Sequence, residues 1–199
     1  MFISFEGLDG AGSSTQSKML FDKLKEAKHE VALTKEPTNN IIGGLIRGVL
    51  THQWKVDPRT LQLLFAADRG HHLTMEIEPW LAQGKVVVSD RYLHSSLAFG
   101  SVDIDGDMEW IHTLNKHYRL PDITFYLRVP AEHCVSRIQK NRAKFELFEE
   151  LKTLQKVSSA YDTVAKNFPS VVVLDGTKTQ EELSQEVFQM VQKYLEANQ

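Results

Sequence analysis

The chain has a single cysteine, Cys134, in 199 residues. That excludes an intramolecular disulfide and any zinc site built from a cysteine cluster, and it fits a reducing compartment. Charge of one sign is not in excess: 23 Lys and Arg against 26 Asp and Glu leave a formal net charge of −3. No global basic field favours nucleic acid or an anionic membrane, so any phosphate that binds must meet local positive charge. No apolar run approaches the roughly 18 residues of a membrane-spanning helix, and no charged leader precedes an apolar stretch at the N-terminus. The expectation is a cytoplasmic protein with neither a membrane nor a nucleic acid as partner. Repeats, low-complexity segments and long interdomain linkers are absent, and the length suits one α/β core, so residues 1–199 read as one domain.

Short apolar runs alternate with helical patterns along the whole chain, the signature of a parallel sheet covered by helices on both faces. Five strands are expected, at Phe2–Phe5, Val31–Thr34, Val86–Val88, Ile123–Leu127 and Val171–Leu174. Helical spacing of Ile42, Leu45, Ile46 and Val49 predicts a helix from Ile41 to Leu50. Asp57 followed by Pro58 is an N-cap acceptor with proline at the first helical position, opening a helix that runs through Leu61, Phe65 and Leu73 towards Leu81 and stops near Gly84. Thr179 and Glu182 form a capping box for a last helix with an apolar stripe of Leu183, Val187, Met190 and Tyr194.

The first strand leads into Gly7, Gly10 and Gly12 and then into hydroxyl residues that open a helix. Strand, glycine loop and helix in that order are what a phosphate-binding loop requires. Glycines let backbone N–H groups close on a polyphosphate, and the helix N-terminus adds unpaired donors and partial positive charge. Gly7 and Gly12 keep the G-x-x-x-x-G spacing, and Ser14 stands where a hydroxyl would bind magnesium. The loop nevertheless lacks its lysine: Ser13 occupies that position.

Ligands of open parallel sheets bind at the carboxyl ends of the strands. There the chain places the glycine loop, Lys35-Glu36-Pro37, Ser89-Asp90-Arg91-Tyr92 and Asp175-Gly176. Asp90 suits a carboxylate that holds magnesium through water, or else forms a turn ion pair with Arg91. Phe65 and Arg69, four residues apart on one helix face, suit stacking on a nucleobase and bonding to its edge; Phe65 also fits a plain core position. A basic run at Arg137, Lys140, Arg142 and Lys144 is either a phosphate-facing segment or a solvated face.

With these residues assembled, the chain resembles the thymidylate kinase family. The resemblance lies in Phe5-Glu6-Gly7-Leu8-Asp9-Gly10-Ala11-Gly12 with Ser14-Thr15-Gln16, in Lys35-Glu36-Pro37, in Leu64-Phe65-Ala66-Ala67-Asp68-Arg69, in Asp90-Arg91-Tyr92 with Ser95-Ser96 and Ala98-Phe99, and in Leu120-Pro121-Asp122. It implies an α/β, three-layer P-loop NTPase fold, a five-stranded parallel sheet with helices on both faces and a short lid at about 137–149. It also implies phosphorylation of dTMP to dTDP by ATP with Mg2+, and a homodimer whose face would come from the Leu93–Phe99 or Leu61–Leu73 region. Two other readings stay open: a degenerate kinase that binds nucleotide with little turnover, and a related nucleotide kinase with shifted base preference.

The resemblance implies roles residue by residue. Gly7, Leu8, Asp9, Gly10, Ala11, Gly12, Ser13, Ser14 and Thr15 form the ATP loop, with Ser14 and Asp90 at the metal. Asp9 binds the acceptor's 3′-hydroxyl, Phe65 stacks on thymine with Arg69 at the base edge, and Arg91 holds the acceptor phosphate with Arg47 as a second contact. Glu36, Pro37, Ser96 and Phe99 complete the dTMP pocket, Phe99 near the sugar. Residues 175–177 flank adenine. Ser13 cannot supply the lysine's charge, so Arg142 or Arg137 from the lid takes that role, with Lys18 on the first helix as a second candidate. Gly100, in place of a glutamine common in the family, leaves base preference open.

Overall fold

The computed structural model describes residues 1–141 and 151–197. In chain order the elements are β1 (Phe2–Gly7), α1 (Ser13–Glu26), β2 (Val31–Lys35), α2 (Ile41–Leu50), α3 (Pro58–His72), α4 (Glu78–Ala82), β3 (Val86–Asp90), α5 (Leu93–Ser95), α6 (Ser101–Asp103), α7 (Met108–Asn115), β4 (Ile123–Arg128), α8 (Ala131–Asn141), α9 (Leu151–Asn167), β5 (Val171–Asp175) and α10 (Gln180–Ala197). Two π-helical turns, Leu73–Ile77 and Ser96–Gly100, join α3 to α4 and α5 to α6. The strands form one parallel sheet in the order β2-β3-β1-β4-β5.

β1 is central and every residue of it is buried. Its period-2 alternation decides which core each side chain joins. Ile3 and Phe5 join Leu20, Leu24, Phe125, Val157 and Val187 on one face, while Phe2 joins Val87, Leu73, Leu97, Ile111 and Val164 on the other. Glu6 breaks the apolar pattern inside this strand.

The expected boundaries hold to within a residue or two, and their causes are visible. Asp57 caps α3 by accepting from the Thr60 N–H at 3.1 Å, and Thr179 and Glu182 exchange the two bonds of a capping box. The long helix from Pro58 passes through the Leu73–Ile77 turn before Pro79, and Gly84 ends it at φ 78°. The stripe on α10 needs correction: Leu183, Val187 and Val191 are buried, whereas Met190 is half-buried and Tyr194 lies at the surface. Val191, not Tyr194, continues the line because helical rows advance by four residues here.

A second correction concerns the face assigned to subunit pairing. Leu93, Leu97, Ala98 and Phe99 are all buried within this chain, so that segment offers no open apolar surface. No described helix is long and apolar enough to cross a membrane.

Candidate active site

The carboxyl ends of the strands open into a cleft of about 750 Å³. It is lined from Leu8 to Gln16 by the glycine loop, and across from it by Glu36, Pro37, Arg47, Phe65, Arg69, Asp90, Arg91, Ser96, Phe99 and Arg137. The residues assigned to ATP, dTMP or metal therefore meet in one place, apart from Gly7 at the loop's base, Lys18, Asp175 and Thr177, which do not line the cleft, and Arg142, which lies outside the described residues together with Lys144 and most of the expected lid.

The loop is shaped by backbone that only glycine adopts without strain. Gly10 and Gly12 have φ of 84° and 103°, and Gly12 caps α1 with no side-chain acceptor over the first N–H groups. At the other side of the helix start, the Ser14 hydroxyl donates to Asp90 Oδ2 at 2.5 Å. Asp90 Oδ1 is buried and has no hydrogen-bond partner. A buried carboxylate oxygen left unpaired beside a hydroxyl is an arrangement that a hydrated divalent cation completes. The alternative reading of Asp90, a turn ion pair with Arg91, is not formed; Arg91 pairs with Asp9 instead.

Arg91 is held from three directions. Its backbone lies in the left-handed region at φ 68°, which turns the side chain back under the glycine loop. Nη1 donates to the Gly7 carbonyl at 2.9 Å and to Ser95 Oγ at 3.1 Å, and Nη2 pairs with Asp9. The guanidinium sits 5.0 Å from the Phe99 ring centroid. Burial alone would lower the Arg91 pKa, but the Asp9 carboxylate and its other acidic neighbours hold it above the ordinary arginine value. The cation is therefore permanent.

The side expected to hold the acceptor is equally filled with bonds. Arg69, 1% exposed, donates from Nε to Glu36 at 3.1 Å, from Nη2 to Ser96 at 2.9 Å and from Nη1 to Asn115 at 2.5 Å. Glu36 also contacts His72 Nδ1 at 3.1 Å, and Asp68 on the same helix accepts from the Thr38 N–H and hydroxyl. These bonds tie α3 to the turn after β2. Arg47 Nη1 is bonded to the carbonyls of Thr38 and Pro37, so it lies across that turn. Phe65 is only half-buried and faces the cleft, which favours the stacking role over the core role.

The side expected to hold the donor is sparser. Arg137 Nη1 lies 3.2 Å from the Gly10 carbonyl, over the glycine loop. Lys18 points elsewhere: its ammonium pairs with Asp22 one turn along α1, on the exposed face, and does not lie in the cleft. The reason is that an i,i+4 carboxylate is nearer to it than the loop is. In the expected adenine segment, Asp175 accepts from the Thr177 N–H and hydroxyl in a local turn, and only Gly176 of the three lines the cleft, joined by Lys178 and Gln180.

Sequence reasoning missed several of these groups. Gln62 is 2% exposed, its Oε1 has no partner, and it fills the space beside Gly100, where a Cβ would stand 2.5 Å from it. Glu6 is fully buried at the end of β1, with Ser95 and Tyr161 bonded to it. A carboxylate inside a fully buried strand, where Ser4 is the only other polar side chain, was the available signal for Glu6. Asn115 and Gln62 carry no such signal.

Comparison with known proteins agrees with this geometry. A family model described as thymidylate kinase matches residues 5–187. A probable thymidylate kinase of Thermococcus kodakarensis is 36% identical over 204 residues, covering 98% of each chain. Similar proteins carrying the same description occur in Methanocaldococcus jannaschii, at 37% identity over 94% of this chain and 93% of the relative, and in Sulfurisphaera tokodaii, at 36% over 96% and 95%.

Proposed function

The chain belongs to the thymidylate kinase family, and on that premise we propose how its cleft works as a phosphotransferase that converts dTMP to dTDP with ATP as donor. Phosphoryl transfer asks for positioning and for neutralisation of charge on the transferred group, with little covalent chemistry from the protein. The observation that carries the proposal is Arg91, a permanent cation fixed between Asp9 and the Gly7 carbonyl where the glycine loop meets the acceptor pocket.

In this reading thymine lies on Phe65 with its edge towards Arg69, and Ser96 and Phe99 close the pocket around base and sugar. Glu36 and Pro37 form its wall. Asp9 takes the 3′-hydroxyl, and Arg91 with Arg47 takes the acceptor phosphate. The loop from Gly7 to Thr15 cradles the ATP phosphates with its N–H groups. Ser14 would hold a magnesium ion directly and Asp90 would hold it through water, as its orphaned Oδ1 supports. Such an ion, when bound, shields the charge on the ATP phosphates.

Arg137 stands in for the loop lysine. It already lies over Gly10, and its planar fork can bridge two phosphate oxygens. Arg142 is the other lid arginine proposed for this role. The working form is a homodimer; Ile41 at 85% exposure and Leu45 at 44% on α2, with Leu63 at 49% on α3, provide apolar surface of the kind that two copies cover.

The degenerate-binder reading is not favoured, because the relatives are thymidylate kinases by description and the groups proposed for the acceptor are bonded to one another around one cleft. Purified protein given dTMP, ATP and Mg2+ should produce dTDP and ADP. Arg91→Ala should lower kcat/KM by at least roughly 10²–10³. Equal rates for the two proteins would overturn the assignment of Arg91, and faster turnover of dUMP or dCMP than of dTMP would show a shifted base preference.

A further inference from the structure

The buried carboxylate of Glu6 touches neither the loop's phosphate-binding face nor the acceptor pocket, yet it lies directly behind the arginine between them. Its surroundings are all donors. Oε1 accepts from the Tyr92 N–H at 2.9 Å, and Oε2 accepts from the Ser95 hydroxyl at 2.5 Å and from the Tyr161 hydroxyl at 3.0 Å. Ser95 has one proton. Given to Glu6, it leaves the Ser95 oxygen lone pairs free to accept from Arg91 Nη1 at 3.1 Å.

We propose that Glu6 is a positioning residue for phosphoryl transfer: its charge orients the Ser95 hydroxyl so that Ser95 accepts from Arg91 and fixes the guanidinium at the acceptor phosphate. Protonating Glu6 removes the charge that orients Ser95. Three donors already face the carboxylate, so a fourth hydrogen has an acceptor only if Ser95 or Tyr161 reverses. Reversal of Ser95 spends one of its two lone pairs on Glu6 and sends its proton towards Tyr161 or Arg91, so the hydroxyl is no longer fixed as the acceptor for Arg91. The Tyr161 hydroxyl, on the helix that follows the expected lid, lies 3.0 Å from Ser95 Oγ, so the same carboxylate also joins α9 to the arginine.

Holding this charge costs stability. Burial raises the Glu6 pKa against the pull of Ser95, Arg91, Tyr161 and Tyr92, and pushes it from 4.5 up to about 7. The other titratable groups around it are Asp9 on the loop, Asp90 on β3, Tyr126 paired in register on β4 and Tyr161 on α9; burial raises both tyrosines, so they stay neutral near pH 7. Because the folded-state pKa is raised, the stability Glu6 contributes is full below about pH 4.5 and is lost as pH rises through about 7. Activity should move the opposite way over the same window, since the ionised form positions Arg91. A purely structural Glu6 would move the stability with pH but leave kcat without an inflection there.

The inference rests on Arg91 as the acceptor-phosphate ligand, so wild type without dTMP turnover fails that assignment first and separately. The experiment measures kcat and thermal midpoint from pH 5.5 to 8.5 for wild type, Glu6→Gln and Ser95→Ala. Wild-type kcat should rise with pH through about 7 while its midpoint falls relative to Glu6→Gln. Glu6→Gln should lose the kcat inflection and, at pH 8, roughly 10–100-fold in kcat. Ser95→Ala, which keeps the charge but removes the link, should lose a similar factor, and the double variant no more than either alone. A Glu6→Gln protein with wild-type kcat and pH profile would overturn the proposal, as would a Ser95→Ala protein with undiminished kcat should Glu6→Gln fail to fold.

Discussion

The two halves of the cleft are built differently. The half proposed for the acceptor is a closed lattice: Arg69 is bonded to Glu36, Ser96 and Asn115, Glu36 to His72, and Arg91 to Asp9, Gly7 and Ser95. The donor half is mostly backbone, with glycines at positive φ, an unpaired Asp90 oxygen and one described arginine resting on loop carbonyls. Preorganised donors and acceptors suit a rigid, small acceptor whose position must be defined to a fraction of an ångström. A site that must admit and release a long triphosphate can instead bring some of its charge in from a neighbouring helix. The missing lysine at Ser13 falls on the side where charge can be supplied in that way.

That contrast can be broken from either side. The largest effect should come from Arg69→Ala, which leaves the Glu36 carboxylate, 3% exposed, with His72 as its ionisable partner among the described residues. Breaking one member of a buried ion pair costs about 3–5 kcal/mol, and urea unfolding should register that loss before any assay does. A protein as stable as wild type would mean the acceptor half is not the rigid one. Next, Arg137→Ala should lower kcat by about 10²–10³, or 2.7–4 kcal/mol, with folding unchanged, and adding Ser13→Lys should restore much of the rate. No loss in steady-state kcat would remove Arg137 from the chemistry and leave Arg142 to be tested. The smallest effect is Gly100→Ala: its Cβ would meet the Gln62 carboxamide at 2.5 Å, and the overpacking costs about 1–3 kcal/mol unless Gln62 moves. Weaker dTMP binding with unchanged ATP binding, read by calorimetry, would keep the effect on the acceptor side.

What could be read in advance follows the same divide between local and distant causes. The strands, the glycine loop and the helix starts at Asp57 and Thr179 depend on neighbours within a few residues, so periodicity and caps revealed them. The residues meeting in the cleft were legible because strand ends converge in any parallel sheet. Glu6 gained its role only through Ser95 and Tyr161, 89 and 155 residues away. Asn115 closes the Arg69 lattice from a helix whose sequence shows nothing but surface and core alternation. Lys18, the second candidate for the missing charge, turns away because a lysine's direction is a choice between nearby partners, and it pairs with Asp22 on the exposed face. The two π-helical turns likewise answer to tertiary packing, not to any residue that marks them.

The most direct test of the divided cleft is a calorimetric titration with dTMP alone, without ATP or magnesium, on wild type and Arg137→Ala. A preformed acceptor half predicts that dTMP binds both proteins with the same affinity within about twofold, since the acceptor lattice stands without the donor side. Binding that develops only after a non-hydrolysable ATP analogue is added, or that is lost in Arg137→Ala, would contradict it.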